Sequence, residues 1–283
     1  FLKQQTAYEF RLSLVGSESC IRDRCRTSRH RRRDVRHRPG DDRIDRGVPA
    51  KVTAANIREP MGIMAESSFH PIFEAEGAAA FETWAAERGR PFRFGTFPQG
   101  SVPAVLLRYW LTDVGVDPGA TDAVESVEIN GARAVWQAIA NDEIDGTSIM
   151  EPVPTIAAEE ESSVTMLRTA ADVLPGQPAA VTLMSDAVRE SPIAGAFLEG
   201  HVRATEFIDA NPDATAAHVE AGIGMPADRA RKALDSPLSN FVTDPETITE
   251  ATPVFAEFAA ENGQISEPLS NETIFDHAVY DSL

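Results

Sequence analysis

Hydrophobic positions change period several times along this chain, and each change marks an element. Across residues 92–97 the apolar Phe92, Phe94 and Phe97 are interspersed with Arg93, Gly95 and Thr96, which predicts a short buried strand. Residues 98–100 read as a turn. From Pro103 on, Leu106, Leu107, Trp110, Leu111 and Val114 recur at helical spacing. The stretch 92–112 is therefore a strand, a tight turn and a helix with an exposed start. Ser101 suits the cap of that helix, because its hydroxyl can accept from a first-turn amide. Pro103 suits the first turn, where its missing N–H has no partner to lose. Gly100 lets the backbone come close to a ligand. The free amides and the positive end of the helix dipole then face a small anion or polar group. The same residues also describe an ordinary βα turn that binds nothing.

The remaining pattern extends this alternation. Strands are expected at 8–15, 48–54, 61–65, 123–129, 144–150, 163–167 and 179–184, with Asn56 just past the second, Ser67 and Ser68 after the third, and Glu151-Pro152 at the carboxyl end of 144–150. Ile72, Phe73, Ala79, Phe81, Trp84 and Ala85 have helical spacing that Gly89 stops, and helices are expected at 132–141 and 155–161. Strands alternating with helices imply a mostly parallel sheet covered on both faces. Ligands of such sheets bind beyond the carboxyl ends of the strands, a position shared by Gly100-Ser101 and Glu151-Pro152. From 191 the pattern turns helical. Ser191 is expected to cap and Pro192 to open a helix that Asn211-Pro212 ends, followed by helices at 215–221, 226–234, 248–260 and 271–280. Their Phe and Ile stripes read as core.

Charge divides the chain in two. The net charge over 283 residues is −18, yet residues 1–50 carry +6 and the remainder −24. After residue 50 the only lysines are Lys51 and Lys232, while Asp and Glu are scattered along every predicted helix face. An acidic, lysine-poor surface suits a protein that stays soluble in concentrated salt, where screening removes the cost of like charges, so the chain reads as salt-adapted. Residues 20–46 hold eleven Arg interspersed with Asp and His, with almost no apolar periodicity. Three readings remain for them: a polyanion-binding arm, a disordered linker, or a segment translated in a shifted frame, the last being preferred. The interspersed acids and missing aromatics weigh against nucleic acid as a partner.

Cys20 and Cys25, the only cysteines, match neither a zinc pair nor a two-residue redox motif, and no disulfide framework follows. The opening residues show neither an apolar leader nor an initiator Met, so the N-terminus reads as incomplete, with no signal or lipid anchor visible. No apolar run reaches the roughly 18 residues of a membrane helix. Phosphate-binding, dinucleotide and nucleophile-elbow motifs and the zinc-type His-Glu pair are missing, and His70, His201, His218 and His277 stand far apart, so neither catalytic residues, a cofactor nor a metal is expected.

With these residues in view, the chain resembles the nitrate/sulfonate/taurine group of ABC-transporter substrate-binding proteins, which includes thiamine-precursor-binding relatives. The resemblance runs through GVPAKVTAA at 47–55, FGTFPQGSVPAVLLRYWLTDVGVDP at 94–118, WQAIANDEIDGTSIMEPVP at 136–154 and PAAVTLMSDAVRESP at 178–192. It implies an α/β, two-lobed, type II periplasmic-binding-protein-like clamshell. Lobe one would combine 1–91 with 179–283 and be incomplete, lobe two would be 92–178, and crossovers near Pro91 and Ala179 would form the hinge. Where the family has a Gly before its "IDG", this chain has Asn141-Asp142, both able to take the left-handed turn.

The resemblance implies a monomeric, extracytoplasmic receptor that captures a small anionic or zwitterionic solute, delivers it to ABC permease subunits and performs no chemistry. The alternative is a protein of thiamine-precursor (pyrimidine) binding or synthesis. By resemblance and by the helix-terminus argument, Gln99, Gly100, Ser101 and Val102 face the solute. Glu151 lies across the cleft, and Asn56, Ser67 and Ser68 are further candidates. A carboxylate repels a sulfonate or nitrate, so Glu151 either turns to a structural partner or meets a ligand that carries a donor such as an amine.

Overall fold

The structure is a computed structural model that describes residues 49–263 and 265–283. The strand expected at 8–15 and the Arg-rich segment 20–46, with Cys20, Cys25, His30 and His37, lie outside the described residues.

Two sheets organise the described chain. Strands β1 (Ala50–Arg58) and β7 (Pro178–Ser185) pair antiparallel, with Ala50 opposite Ser185 and Arg58 opposite Pro178. Strands β2 (Gly62–Glu66), β3 (Phe92–Thr96), β4 (Val124–Glu128), β5 (Gly146–Ile149) and β6 (Val164–Thr169) form a second sheet in the order β4-β3-β5-β2-β6. The expected mostly parallel arrangement holds where β3 pairs with β4 and β5. It fails at β2, which runs antiparallel to both neighbours. The reason is topological: β2 enters directly from the other sheet at the edge where β5 ends, so it points the opposite way.

The same strand moves the lobe boundary. A hinge near Pro91 would leave β2 in the first lobe, but its backbone bonds place it inside the five-stranded sheet. The first connection between the sheets is therefore at 59–61. The second, between β6 with its following turn α6 (Ala170–Val173) and β7, is at 174–177. Lobe two accordingly spans about 62–173 rather than 92–178.

On one face of the five-stranded sheet Phe92 and Phe94 meet the helices α1 (His70–Glu76), α2 (Ala80–Arg88) and α3 (Val102–Asp113) through Phe69, Phe73, Phe81, Trp84, Leu107 and Trp110. The rings stand 4.5–6.3 Å apart, the spacing at which tilted and edge-on aromatic pairs attract. The helical spacing at 72–85 is split into α1 and α2 by a 3-10 turn at Gly77–Ala79, where Gly77 takes φ 59°. Gly89, at φ 68°, ends α2 as expected. The other face packs β5 and Met64 against α4 (Ala132–Ala140) and α5 (Val153–Glu159) through Val135, Ile139, Ile149 and Val153. Asp142 takes the left-handed turn after α4, at φ 56°.

The smaller sheet is covered on one side by α8 (Ile193–Ala210), whose Ala194 and Leu198 meet Ala54 and Met184. Between β7 and α8 lies the one-turn helix α7 (Asp186–Arg189). Ser191 does not cap α8: its hydroxyl donates to Val188 O at 2.7 Å, and Pro192 occupies the cap position. Helices α9 (Pro212–Ile223), α10 (Ala227–Leu234) and α11 (Ala251–Glu261) follow. The helix expected at 271–280 is instead two single turns, α12 (Asn271–Ile274) and α13 (Ala278–Asp281), because Phe275 is extended and bridges to Val52. Helices α10 and α11 reach the larger lobe. Arg229 Nε and Lys232 Nζ donate to Glu159 at 2.6 and 2.8 Å, and Phe258 packs edge-on against Tyr109 at 5.4 Å.

One ion pair fixes the amino edge of the larger sheet. Asp145, 3 % exposed, accepts two hydrogen bonds from Arg90 at 2.5 and 2.6 Å and one from the amide of Arg93 at 2.8 Å. Burial pushes the Asp145 carboxyl up, and the bonds from Arg90 and the Arg93 backbone outweigh it, holding the group below the usual carboxylate range. A depressed folded-state pKa adds stability above the unfolded value of about 4, and this is lost as pH falls through the folded value. Asp145→Asn is expected to cost about 3 kcal/mol at pH 7. In urea unfolding at pH 7, 5, 4 and 3, the gap to the parent protein should narrow with each step below pH 5. A gap independent of pH refutes the ion-pair account.

Candidate functional site

The strand directions bring a defined set of residues to one edge of the five-stranded sheet. Because β3 and β5 are parallel, the turn 97–101 after β3 and residues 150–152 after β5 lie side by side at their carboxyl edge. Residues 129–131 after β4 lie there too. The antiparallel β2 begins at this edge, and β6 ends there, with Gly62 opposite Thr169. Both connections to the smaller sheet therefore leave from this same side.

The turn after β3 is built as expected and for a slightly different reason. Ser101 caps α3 with its side chain accepting from Ala104 N at 3.4 Å, while its carbonyl accepts from Val105 N at 3.0 Å. Its own amide donates to Pro98 O at 3.0 Å. The amides of Gln99, Gly100 and Val102 have no acceptor among the described residues. Gly100 takes φ 86°, a backbone that favours glycine, and a Cβ there would meet no protein atom within 4 Å, so the space in front of the turn is open. A left-handed residue with free amides on itself, on Gln99 before it and on Val102 at the start of a twelve-residue helix is a concave donor group suited to an anion.

Glu151 stands next to this turn with its peptide to Pro152 cis. One of its carboxylate oxygens accepts from Thr155 N at 3.2 Å, in the first turn of α5. It thus has a structural partner, which leaves the other oxygen for further contacts. The start of α3 and the starts of α4 and α5 share one apolar cluster, in which Phe97, Val102, Ala132, Trp136 and Val153 meet Met150 and Ile149. Three helix starts therefore converge at this edge.

The remaining candidates lie elsewhere. Ser67 and Ser68 follow the carboxyl end of β2, and since β2 is reversed they are at the opposite edge from Ser101 and Glu151. There Ser68 Oγ donates to Glu66 at 2.9 Å beside Arg88. The sequence places them past a strand end, and only the strand's direction excludes them from the cluster. Asn56 is inside β1 rather than past it, and its side-chain oxygen accepts from Thr182 Oγ1 at 2.8 Å. The histidines are dispersed: His70 and His201 reach the carbonyls of Ala65 and Ala55, and His277 stacks on Phe275. Among the described residues no cluster of His, Cys, Asp or Glu is arranged to hold a metal ion.

Sequence reasoning missed Arg133. It is the second residue of α4, exposed at the same edge, and forms no ion pair among the described residues. A cation at a helix start opposes the dipole; Arg108 and Arg203 likewise form no ion pair among the described residues, but neither starts a helix. The position of Arg133 near a helix start is legible in the sequence, and its lack of a partner is not.

Comparison with solved structures gives a consistent fold. The ligand-binding component of an ABC-type import system from Staphylococcus aureus, solved with zinc bound, superposes with a TM-score of 0.62 at 15% identity, covering 83% of this chain and 75% of that one. The periplasmic aliphatic sulphonate binding protein SsuA from Escherichia coli gives 0.64 at 18%, covering 83% and 71%. The periplasmic nitrate-binding protein NrtA from Synechocystis PCC 6803 gives 0.65 at 15%, covering 83% and 67%. These likenesses establish the α/β, periplasmic-binding-protein-like fold. A comparison with curated proteins returned no match. The sequence profile of the NMT1-like family matches residues 43–223, well over half of the chain and including every element of the edge described above; the chain belongs to the NMT1-like family.

Proposed function

We propose that this protein is an extracytoplasmic solute-binding component of an ABC importer, capturing a small anionic or zwitterionic organic solute for its membrane permease. The observation that carries the reading is the position of the free amides of Gln99, Gly100 and Val102 at the edge from which both connections to the smaller lobe depart. A ligand held there touches one lobe at its donor-rich edge and lies where the other lobe closes over it. The fold shared with sulfonate- and nitrate-binding proteins supports the same reading. No helix among the described residues is long and apolar enough to cross a membrane. The pyrimidine-synthesis alternative has no observation of its own.

In this site the amides of Gln99, Gly100 and Val102 hold the anionic group, Ser101 fixes the geometry of the turn, and Arg133 supplies the positive charge. Glu151 then sets the class of solute. Beside a simple sulfonate its free oxygen repels, and beside an aminosulfonate it accepts from the ammonium. Calorimetric titration should separate the two. Ser101→Ala is expected to weaken both ethanesulfonate and taurine about tenfold. Glu151→Gln, which keeps an acceptor for Thr155 N, should strengthen ethanesulfonate and weaken taurine by several-fold each. If neither sulfonates, nitrate nor taurine binds the parent protein, the receptor reading fails.

Salt adaptation belongs to the same proposal, since a receptor outside the cytoplasm takes the ionic strength of its surroundings. Surface ion pairs weaken as salt rises, but each is worth about 1 kcal/mol at most. Repulsion among the unpaired acids is the larger, collective effect. The thermal midpoint is therefore expected to rise by roughly 5 °C between 0.1 and 2 M KCl, or about 3 kcal/mol at this chain length. A midpoint that is flat or falls with KCl removes the salt-adapted reading.

A further inference from the structure

The connection between the sheets is tied together by one carboxylate. Glu59, the first residue past β1, is 9 % exposed and takes a left-handed backbone, φ 54°, which is rare for a residue with a Cβ. Its amide donates to Gln177 O at 3.0 Å, and its Oε1 accepts from the amide of Gly176, so the first connection is bonded twice to the second. Its Oε2 accepts from Asn240 Nδ2 at 3.0 Å. Asn240 belongs to the smaller lobe, where its carbonyl accepts from Arg58 N at 3.2 Å and the following residues run beside β1, Val242 N donating to Asn56 O.

Two polar atoms in this small region have no partner. Arg58 Nε is buried and unbonded, 4.0 Å from the same Oε2 that Asn240 occupies. Gln177 Oε1 is likewise unpaired in a side chain that is fully buried. A buried donor without an acceptor is unfavourable, because it has given up water and gained no partner. The arrangement therefore leaves an unfavourable contact that a shift of about 1 Å between Arg58 and Glu59 removes.

We propose that Glu59 is the pivot of the two-lobed movement and that its Oε2 exchanges partners: Asn240 in the present arrangement, Arg58 Nε in the other. The bonds to Gly176 and Gln177 keep the two connections moving as one strap. The bond to Asn240 holds the strap against the smaller lobe, and bending it toward Arg58 releases that hold. A solute between the lobes then binds the arrangement it stabilises, and its apparent affinity scales with how much of the free protein already adopts that arrangement. The purpose of the exchange rests on the receptor reading, but its existence does not, because both arrangements are properties of the solute-free chain.

The test uses two variants that keep Glu59. Asn240→Ala removes the present partner, and Arg58→Gln removes the alternative one. Small-angle X-ray scattering of the solute-free protein should show the radius of gyration displaced in opposite directions by the two substitutions. Ethanesulfonate or taurine affinity, whichever the parent protein binds, should change in opposite senses by about threefold to tenfold. Displacement in the same direction, or thermal destabilisation with unchanged scattering, means that Glu59 is a fixed structural tie and overturns the proposal. Opposite displacement in a protein that binds no solute supports the exchange and sinks only the receptor reading.

Discussion

Every connection between the two sheets passes through the carboxyl edge of the five-stranded one, and most of the molecule's organisation follows from that constraint. Because the chain arrives at 59–61 on that side, β2 has to run against β5 and β6. Because it leaves after Thr169 on the same side, the second connection lies against the first, with Glu59 bonded to Gly176 and Gln177. The opposite edge is then free of connections to the smaller sheet, and there the chain places its buried Arg90–Asp145–Arg93 group and the Glu66–Arg88 pair. The two edges thus differ in chemistry: one pairs its arginines with carboxylates, the other keeps unpaired amides and an unpaired arginine.

Local pattern made most elements legible. The strand at 92–96, the turn, the Ser101 cap and the helix from Val102 depend on residues within a few positions of one another, and they are where the periodicity puts them. Gly89 and Asp142 end their helices for equally local reasons. Failures came where distant partners decide. Periodicity says that 61–65 is a strand but carries no sign for its direction, and that direction alone moves Ser67 and Ser68 to the wrong edge. Asn56 looked like a residue past a strand because β1 is irregular there, with register shifts between Val52 and Ala54 and again between Ala55 and Ile57. The 271–280 segment has helical spacing, yet Phe275 gains more by lying extended in the core against Val52 than a helix bond returns.

The charge pattern is better understood from the pairings than from the total. Both lysines after residue 50 are engaged, Lys51 Nζ with the carbonyl of Glu272 and Lys232 with Glu159. The arginines are mostly engaged as well, several with two carboxylates, as Arg189 is with Asp186 and Asp276. Positive charge in this region is therefore spent on tying segments together, and the surplus acids are left to water. Arg108, Arg133 and Arg203 form no ion pair among the described residues, and of these Arg133 alone lies at a helix start. It sits where a helix dipole already concentrates positive potential, so its placement adds nothing to stability and raises the potential at the edge further.

That local excess answers an electrostatic difficulty. A chain of net charge −18 repels anions on average, and at low ionic strength the repulsion would slow their capture. At high ionic strength the Debye length shrinks to a few ångströms, about 3 Å at 1 M, so the distant acids no longer act while groups in contact still do. In the proposed site, the amides of Gln99, Gly100 and Val102 and the Arg133 side chain would then decide what binds, and the surrounding acids only whether the protein stays dissolved. Glu151 stands beside the same turn, with one of its oxygens already committed to Thr155 N. On the proposed reading its free oxygen acts on a solute at contact range, where salt does not screen it, so that discrimination between anion and zwitterion would fall on this side chain.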